Sequence, residues 1–297
     1  MPRRPLLAIT CALMMSPAAA RPAVVGTMTD SRLPEVSGLA ASHAHPGLLW
    51  VENDSGNPAD VYLVGTGGRL RMTLHVDGVP NIDWEDLASF DERGHHYLLL
   101  ADAGDNNALR PSVVLYAIEE PVTIADTHVR PAWSIRFRWP GGPRDCEAVT
   151  VDVATGSILL ISKRTVPPVL YRLPLHPHSR GILVAQRLGP LAGIPRPRLD
   201  ETWTLPPFRK YLSQVTAAAI APDRGSIAVL TYRRAYVYRR RKAESWAQAV
   251  SRPPAWLPFG WLPQAEALTF RLDGRAIYIS GERLPAPIVR VDVPPSH

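Results

Sequence analysis

Five self-similar segments, the turn and apolar strand that follow each, and a wealth of turn-forming residues predict an all-β chain folded as a β-propeller. The segments are Glu35-Val-Ser37-Gly-Leu-Ala, Asp83-Trp-Glu85-Asp-Leu-Ala, Asp145-Cys-Glu147-Ala-Val-Thr, Gln214-Val-Thr216-Ala-Ala-Ala and Gln264-Ala-Glu266-Ala-Leu-Thr. Each reads polar, spacer, polar, then small and apolar. A repeated unit of short strands cannot bury both of its faces alone and must stack on its neighbours, which is the logic of propeller blades. The 31 prolines and 20 glycines leave few stretches suited to long helices.

From the N-terminus, Arg3 and Arg4 precede the short apolar run Pro5 to Met15, and Ser16-Pro17-Ala18-Ala19-Ala20 ends in an A-x-A pattern. That is the order of a secretory signal. Residues 1–20 are therefore expected to be a leader and 21–297 a single propeller domain, exported to the periplasm or secreted. The run is too short to span a bilayer, and no later stretch suits a membrane span. Ala23-Val-Val-Gly-Thr-Met28 comes next and is expected to close the ring by supplying the strand the last unit lacks.

After each segment comes a turn built on Gly or Asp, such as Ala154-Thr155-Gly156 or Asp223-Arg224-Gly225. Glycine tolerates positive φ there, and aspartate bonds its own backbone. An apolar second strand follows, as in Tyr97-Leu-Leu-Leu100 or Ile158-Leu-Leu-Ile161, and then a third, as in Val61-Tyr-Leu-Val64 or Val169-Leu-Tyr-Arg172. Fourth strands are fainter: Met72 to Val76, Trp133 to Phe137 and Ile182 to Ala185. Five blades are countable, and a degenerate sixth has room between Ile182 and Leu212.

Without the leader one cysteine remains, Cys146, so neither an internal disulfide nor a cysteine-based zinc cluster can hold the fold. The formal charge of +6 includes Arg3 and Arg4. The basic run Arg239-Arg-Arg-Lys242 lacks interleaved aromatics and a groove-reading helix. No nucleic-acid partner is expected, and a monomer is.

The first strand of a blade lines the channel and the second returns antiparallel to it. Starts of first strands and ends of second strands therefore meet at one mouth, and both places are polar here. The starts supply Glu35, Ser37, Asp83, Glu85, Asp145, Glu147, Thr216, Gln264 and Glu266. The ends supply Asn53-Asp54, Asp102 with Asp105 and Asn106, Lys163-Arg164, Arg233-Arg234 and Glu282-Arg283. Residues two apart share a face, so each pair at a strand start is expected to face the channel together. The first two units would make a carboxylate-rich side, the third and fourth a cationic one. Crowded carboxylates need a cation or a proton between them. Hard oxygen donors favour Ca²⁺ or Mg²⁺. Asn53, Glu85, Asp102, Asn106, Glu147 and Glu266 are the candidate metal ligands, and Glu85 and Glu147 the candidate catalytic groups. Asp54, Asp105, Lys163, Arg164, Arg233, Glu282 and Arg283 are the candidate contacts to a ligand. The same residues can instead satisfy turns and pair with one another.

The sequence has no G-x-S-x-G elbow, P-loop or H-E-x-x-H, and no histidine in the repeated mouth positions. His43-x-His45 and His176-Pro-His178 have side chains two apart, a spacing that can ligate a metal, but they fall in loops with no matching carboxylate motif and read as surface histidines; His95-His96 precedes a strand and reads as a turn. Trp50, Trp84 and Trp133 read as core between blades. Trp246, Trp256 and Trp261, in or near the proline-rich stretch from Ser251 to Pro263, are expected to cover a channel end or a neighbouring blade.

Ser37-Gly-Leu-Ala, Asn53-Asp-Ser-Gly, Asp83-Trp-Glu-Asp-Leu-Ala, Asp102-Ala-Gly-Asp-Asn, Asp145-Cys-Glu-Ala-Val and Thr231-Tyr-Arg-Arg-Ala-Tyr resemble a family of exported bacterial propellers without an assigned function. More distantly, the pattern is similar to the esterase-like phytase group and to the gluconolactonase and regucalcin propellers. That likeness implies a divalent ion at the channel mouth held by Glu, Asn and Asp, and hydrolysis of an ester, lactone or phosphoester. Two functions are therefore expected in competition: a metal-dependent hydrolase acting on a small anionic or ester-type ligand, and a non-enzymatic binding propeller.

Overall fold

A computed structural model describes residues 22–179, 181–197 and 211–295. The expected leader lies outside these residues. Strand β1 (Ala23–Met28) precedes blade 1, which is β2 (Val36–Ala41), β3 (Leu48–Asn53), β4 (Asp60–Gly65) and β5 (Leu70–Val76). Blade 2 is β6 (Trp84–Glu92), β7 (His95–Asp102), β8 (Val113–Glu119) and, after the short β9 (Thr127–Val129), β10 (Trp133–Arg138). Blade 3 is β11 (Cys146–Asp152), β12 (Ser157–Ser162), β13 (Val169–Pro174) and, after β14 (Leu183–Val184), β15 (Gln186–Pro190). Blade 4 is β16 (Val215–Ile220), β17 (Ser226–Thr231), β18 (Ala235–Arg239) and, beyond helix α1 (Trp246–Val250), β19 (Ala255–Leu257). Blade 5 is β20 (Ala265–Phe270), β21 (Ala276–Gly281) and β22 (Ala286–Asp292).

The four strands of each blade pair antiparallel in order, and β1 completes blade 5 against β22. The inner strands β2, β6, β11, β16 and β20 contact one another in sequence, and β20 meets β2. The ring therefore closes at five blades, and no sixth sheet occurs among the described residues. Part of the stretch expected to offer a sixth blade is the fourth strand of blade 3; residues 198–210 lie outside the described residues.

The fourth strand of blade 3 is also not where the sequence reading placed it. Leu183–Val184 pairs parallel with β10 of blade 2, and Gln186–Pro190 takes the outer position on β13. Leu183 packs against the apolar cluster between blades 2 and 3, and Ala185 is buried in it, so burial draws this short segment back to the preceding blade. β9 does the same for blade 1, running parallel to β5.

Five apolar clusters hold the ring, one in each seam between neighbouring blades. Leu98 and Leu100 of β7 face blade 1, while Leu99 and Ala101 face blade 3. Each face of a blade is covered by a neighbour, which is why the second strands read as unbroken apolar runs rather than alternating ones. Trp50 and Trp84 are fully buried in the seam of blades 1 and 2, as expected of core tryptophans.

Cys146 opens β11 and is buried, its thiol donating to the carbonyl of Ile161 at 3.3 Å. Burial pushes the thiol up to about 12. A buried, protonated thiol is a poor nucleophile. In a chain beginning at Arg21, iodoacetamide should leave native Cys146 unlabelled and modify it stoichiometrically after denaturation in guanidinium, read by intact mass. Rapid labelling of the native protein would show that β11 opens at its start.

Candidate functional site at one channel mouth

Every inner strand carries a β-bulge at its first turn of ladder, between Val36 and Gly38, Trp84 and Asp86, Cys146 and Val149, Val215 and Ala217, and Ala265 and Ala267. The residues left without a ladder partner include Ser37, Glu85, Glu147, Thr216 and Glu266, which are the second polar residues of the five repeats. A bulge re-aims the side chain of its extra residue. The sequence repeat is thus a repeated device for turning one side chain toward the axis.

Two of the five are spent on structure. Ser37 donates to the carbonyl of Glu85 at 2.9 Å, and Thr216 to that of Ala265 at 2.7 Å, each across a blade seam. Glu85, Glu147 and Glu266 instead line a cavity of about 470 Å³. The expected pairing of positions two apart holds there for Gln264 with Glu266, and Asp83 and Asp145 join Glu85 and Glu147 in one carboxylate cluster. In blade 1 the bulge breaks the alternation: Glu35 is exposed and accepts from Asn57 at 2.8 Å, while Ser37 is buried.

The carboxylates form two triplets whose oxygens lie within 4.8 Å of one another, Asp54 with Asp83 and Glu85, and Glu85 with Asp145 and Glu147. Glu85 belongs to both. It is 3% exposed, and its Oε1 has no hydrogen-bond partner. Burial, with Asp54, Asp145 and Asp83 nearby, pushes its carboxyl well above the usual range against the pull of Lys163. Burial and the same crowding push Asp83 up to about 6. Gly104 makes the approach feasible, because a Cβ there would stand 2.1 Å from Glu85 Oε1 and 2.5 Å from the Asp83 carboxyl carbon.

Cations answer part of this charge. Arg110 pairs with Asp102 at 2.7 Å, Arg164 with Asp145 at 2.7 Å, and Lys163 with Glu147. Glu266 accepts the Tyr232 hydroxyl. Glu282 is bonded by Gln264, and its burial beside Glu266 pushes it up to about 10. Among the described residues, Asp54, Asp83 and Glu85 have no ion pair. The two charge signs therefore do not sit on opposite sides of the mouth: Lys163 and Arg164, at the end of β12, pair with the acids at the start of β11 beside them.

The other expected site residues divide. Asp54, Asn106, Lys163, Arg164, Glu282 and Arg283 line the cavity. Asn53 does not; its amide accepts from Glu35 N–H at 3.3 Å and donates to Arg32 at 2.8 Å, holding the strand end. Asp102 lies behind Arg110. Asp105 caps its own loop, accepting from Leu109 at 2.7 Å and Arg110 at 2.9 Å. Arg233 does not line the cavity.

Asp86 and Glu52 are among the buried carboxylates that the sequence did not single out. Asp86 stands where the other repeats have Gly38, Ala148, Ala217 and Ala267. It reaches into the channel and accepts from Leu87 and Val149 at 2.8 Å each and from Ala218 at 3.4 Å, tying three inner strands. Glu52 lies opposite Gly38, where a Cβ would stand 2.6 Å from its Oε1. An acid among small residues was the available signal for Asp86. Tyr232 and Trp261 also line the mouth cavity, Trp261 being 64% exposed.

No helix among the described residues is long and apolar enough to cross a membrane. No protein-family model matches the chain, and no curated protein does. Among solved structures it is similar to a chain in the crystal structure of a nidogen/laminin complex, with a TM-score of 0.46 and 10% identity over 84% of this chain and 73% of that one.

Proposed function

We propose that the carboxylate mouth binds a divalent cation, Ca²⁺ or Mg²⁺, and that the protein is an exported metal-dependent hydrolase of a small ester, lactone or phosphoester. The observation that carries this reading is Glu85, whose buried, unpartnered oxygen is shared by two carboxylate triplets. The donor set is all hard oxygen, which suits these ions. Asp54, Asp83 and Glu85 would hold the ion. Such an ion polarises a bound oxygen of the substrate or lowers the pKa of a bound water. Arg283 and Arg164, on the cavity wall, would attract an anionic group, and the exposed face of Trp261 would cover the ligand.

A second reading, a binding propeller without turnover, is favoured by the ion pairs of Lys163 and Arg164, which already neutralise Glu147 and Asp145.

Thermal unfolding with and without Ca²⁺ or Mg²⁺ tests both. A cation at 100 times its Kd adds about 2.7 kcal/mol, a rise in Tm of roughly 5 °C for a domain of this size. Glu85→Gln keeps the shape and should abolish the rise. Cation binding with turnover on an ester, lactone and phosphoester panel supports the hydrolase. Binding without turnover supports the second reading. No cation effect in the wild-type protein overturns the ion itself.

A further inference from the structure

The opposite end of the channel carries a different donor set. There the far ends of the inner strands surround a second cavity of about 420 Å³, whose wall includes His43 and Asp91. His43 Nδ1 lies 2.8 Å and His96 Nδ1 2.6 Å from the same oxygen, Asp91 Oδ1. The three ligand atoms lie within 4.8 Å of one another. Other histidine–carboxylate pairs occur among the described residues: His75 with Asp60, His95 with Glu119, His128 with Asp77 and His176 with Glu92. In each of those, one imidazole meets one carboxylate. Only at Asp91, among the described residues, do two imidazoles from two blades converge on one oxygen.

The convergence is built in. Asp91 and His96 are direct cross-strand partners of β6 and β7. His43 comes from the β2–β3 loop of blade 1, and buried Glu120 fixes it. The Glu120 carboxylate accepts from His43 N–H at 3.1 Å, Ser42 at 2.5 Å, Ala44 at 3.3 Å and Trp50 Nε1 at 2.8 Å. The Glu120 N–H donates to the carbonyl of His96 at 2.8 Å. One residue thus holds both histidine-bearing segments. His45, the nearer partner by sequence, is turned away onto the carbonyl of Pro121 at 2.8 Å.

We propose that His43, Asp91 and His96 form a zinc-type transition-metal site at the channel opening opposite the carboxylate mouth. Two imidazoles and one carboxylate select Zn²⁺, Co²⁺ or Ni²⁺ over Ca²⁺ and Mg²⁺. Ligand atoms around tetrahedral zinc, each at about 2.0–2.2 Å from it, stand somewhat farther apart than these N···O contacts. A small outward shift therefore admits the ion. The side chains of Asp91 and His96 are 56% and 42% exposed and free to make it. On binding, each imidazole coordinates through Nδ1 and carries its proton on Nε2. Three protein ligands leave a coordination position open, the arrangement of a site that binds a further ligand rather than one that only staples the fold.

The test is a titration of chelator-treated protein with Co²⁺, followed by its visible d–d bands, and with Zn²⁺ in competition with a chromogenic chelator. One equivalent should bind with micromolar or tighter affinity, undisturbed by excess Ca²⁺ and by Glu85→Gln. His96→Ala and Asp91→Asn should weaken it by at least about 100-fold, the upper end of what loss of an outer partner costs a metal site. His43→Gln, which keeps the loop filled, should do the same. Melting curves of the variants separate loss of the ligand from loss of the fold. No uptake by the wild-type protein, or cobalt bands that survive all three substitutions, overturns the proposal.

Discussion

Removing Ala23–Met28 is expected to abolish the folded ring rather than trim it. β1 is the outer strand of blade 5, registered from Ala23 opposite Arg290 to Met28 opposite Ala286. Met28 is fully buried in the seam between blades 5 and 1. The strand also presses on blade 1: Thr27 donates to the carbonyl of Gly67 at 3.3 Å, and a Cβ on Gly26 or Gly68 would collide with the backbone facing it. Its loss removes a buried Met, worth about 1.5–3 kcal/mol, and several ladder hydrogen bonds at about 1 kcal/mol each. The sum is on the order of the whole stability of a domain, about 5–15 kcal/mol. It also bares the edge of β22, a template for pairing with another chain. The truncated protein should elute as aggregate in size-exclusion chromatography and lose its near-UV circular dichroism. A monomer melting within about 2 °C of the full chain would mean that the ring does not depend on this closure.

That closing strand was legible because it is an apolar, β-branched run placed before a first unit whose partner, the last unit, lacks a fourth strand. The five blades were legible for a similar reason. Inner and second strands face neighbours on both sides, so their composition is constrained at every position. Outer strands are constrained on one side only, which is why Leu183–Val184 and Gln186–Pro190 could be confused. The channel mouth followed from strand direction alone. What each polar residue does there did not. Asn53 and Asp105 look like ligands in sequence and are spent on backbone N–H groups, while Asp83 and Asp145 sit among the carboxylates. The bulge decides which side chains turn inward, and a bulge leaves no mark in a single repeat. Arg110 reaches Asp102 from the β7–β8 loop, a contact that only tertiary structure sets. The convergence of His43 and His96 on Asp91 is of the same kind, since their segments belong to different blades.

Asp86→Ala should be among the most damaging single substitutions in the protein. The side chain is fully buried and supplies acceptors to three backbone N–H groups, two of them on other blades. Alanine would leave Leu87, Val149 and Ala218 each without that acceptor at the axis. A buried donor left unsatisfied costs about 1–3 kcal/mol. Part of this is offset, because burial already pushes the Asp86 carboxyl well above its usual range and its charge is costly to keep. A net loss of about 3–4 kcal/mol follows, against about 1–2 kcal/mol for Asp86→Asn, whose amide oxygen still accepts from Val149 and Ala218. Urea unfolding of both variants measures the difference. Equal losses would mean that the hydrogen bonds across the channel are not what Asp86 contributes. The comparison bears on function as well as stability. Asp86 lies between the two cavities, so a variant that keeps its acceptor should leave cation binding at Glu85 and metal binding at Asp91 unchanged. Changes at both ends in Asp86→Asn would show instead that the two openings communicate through the channel.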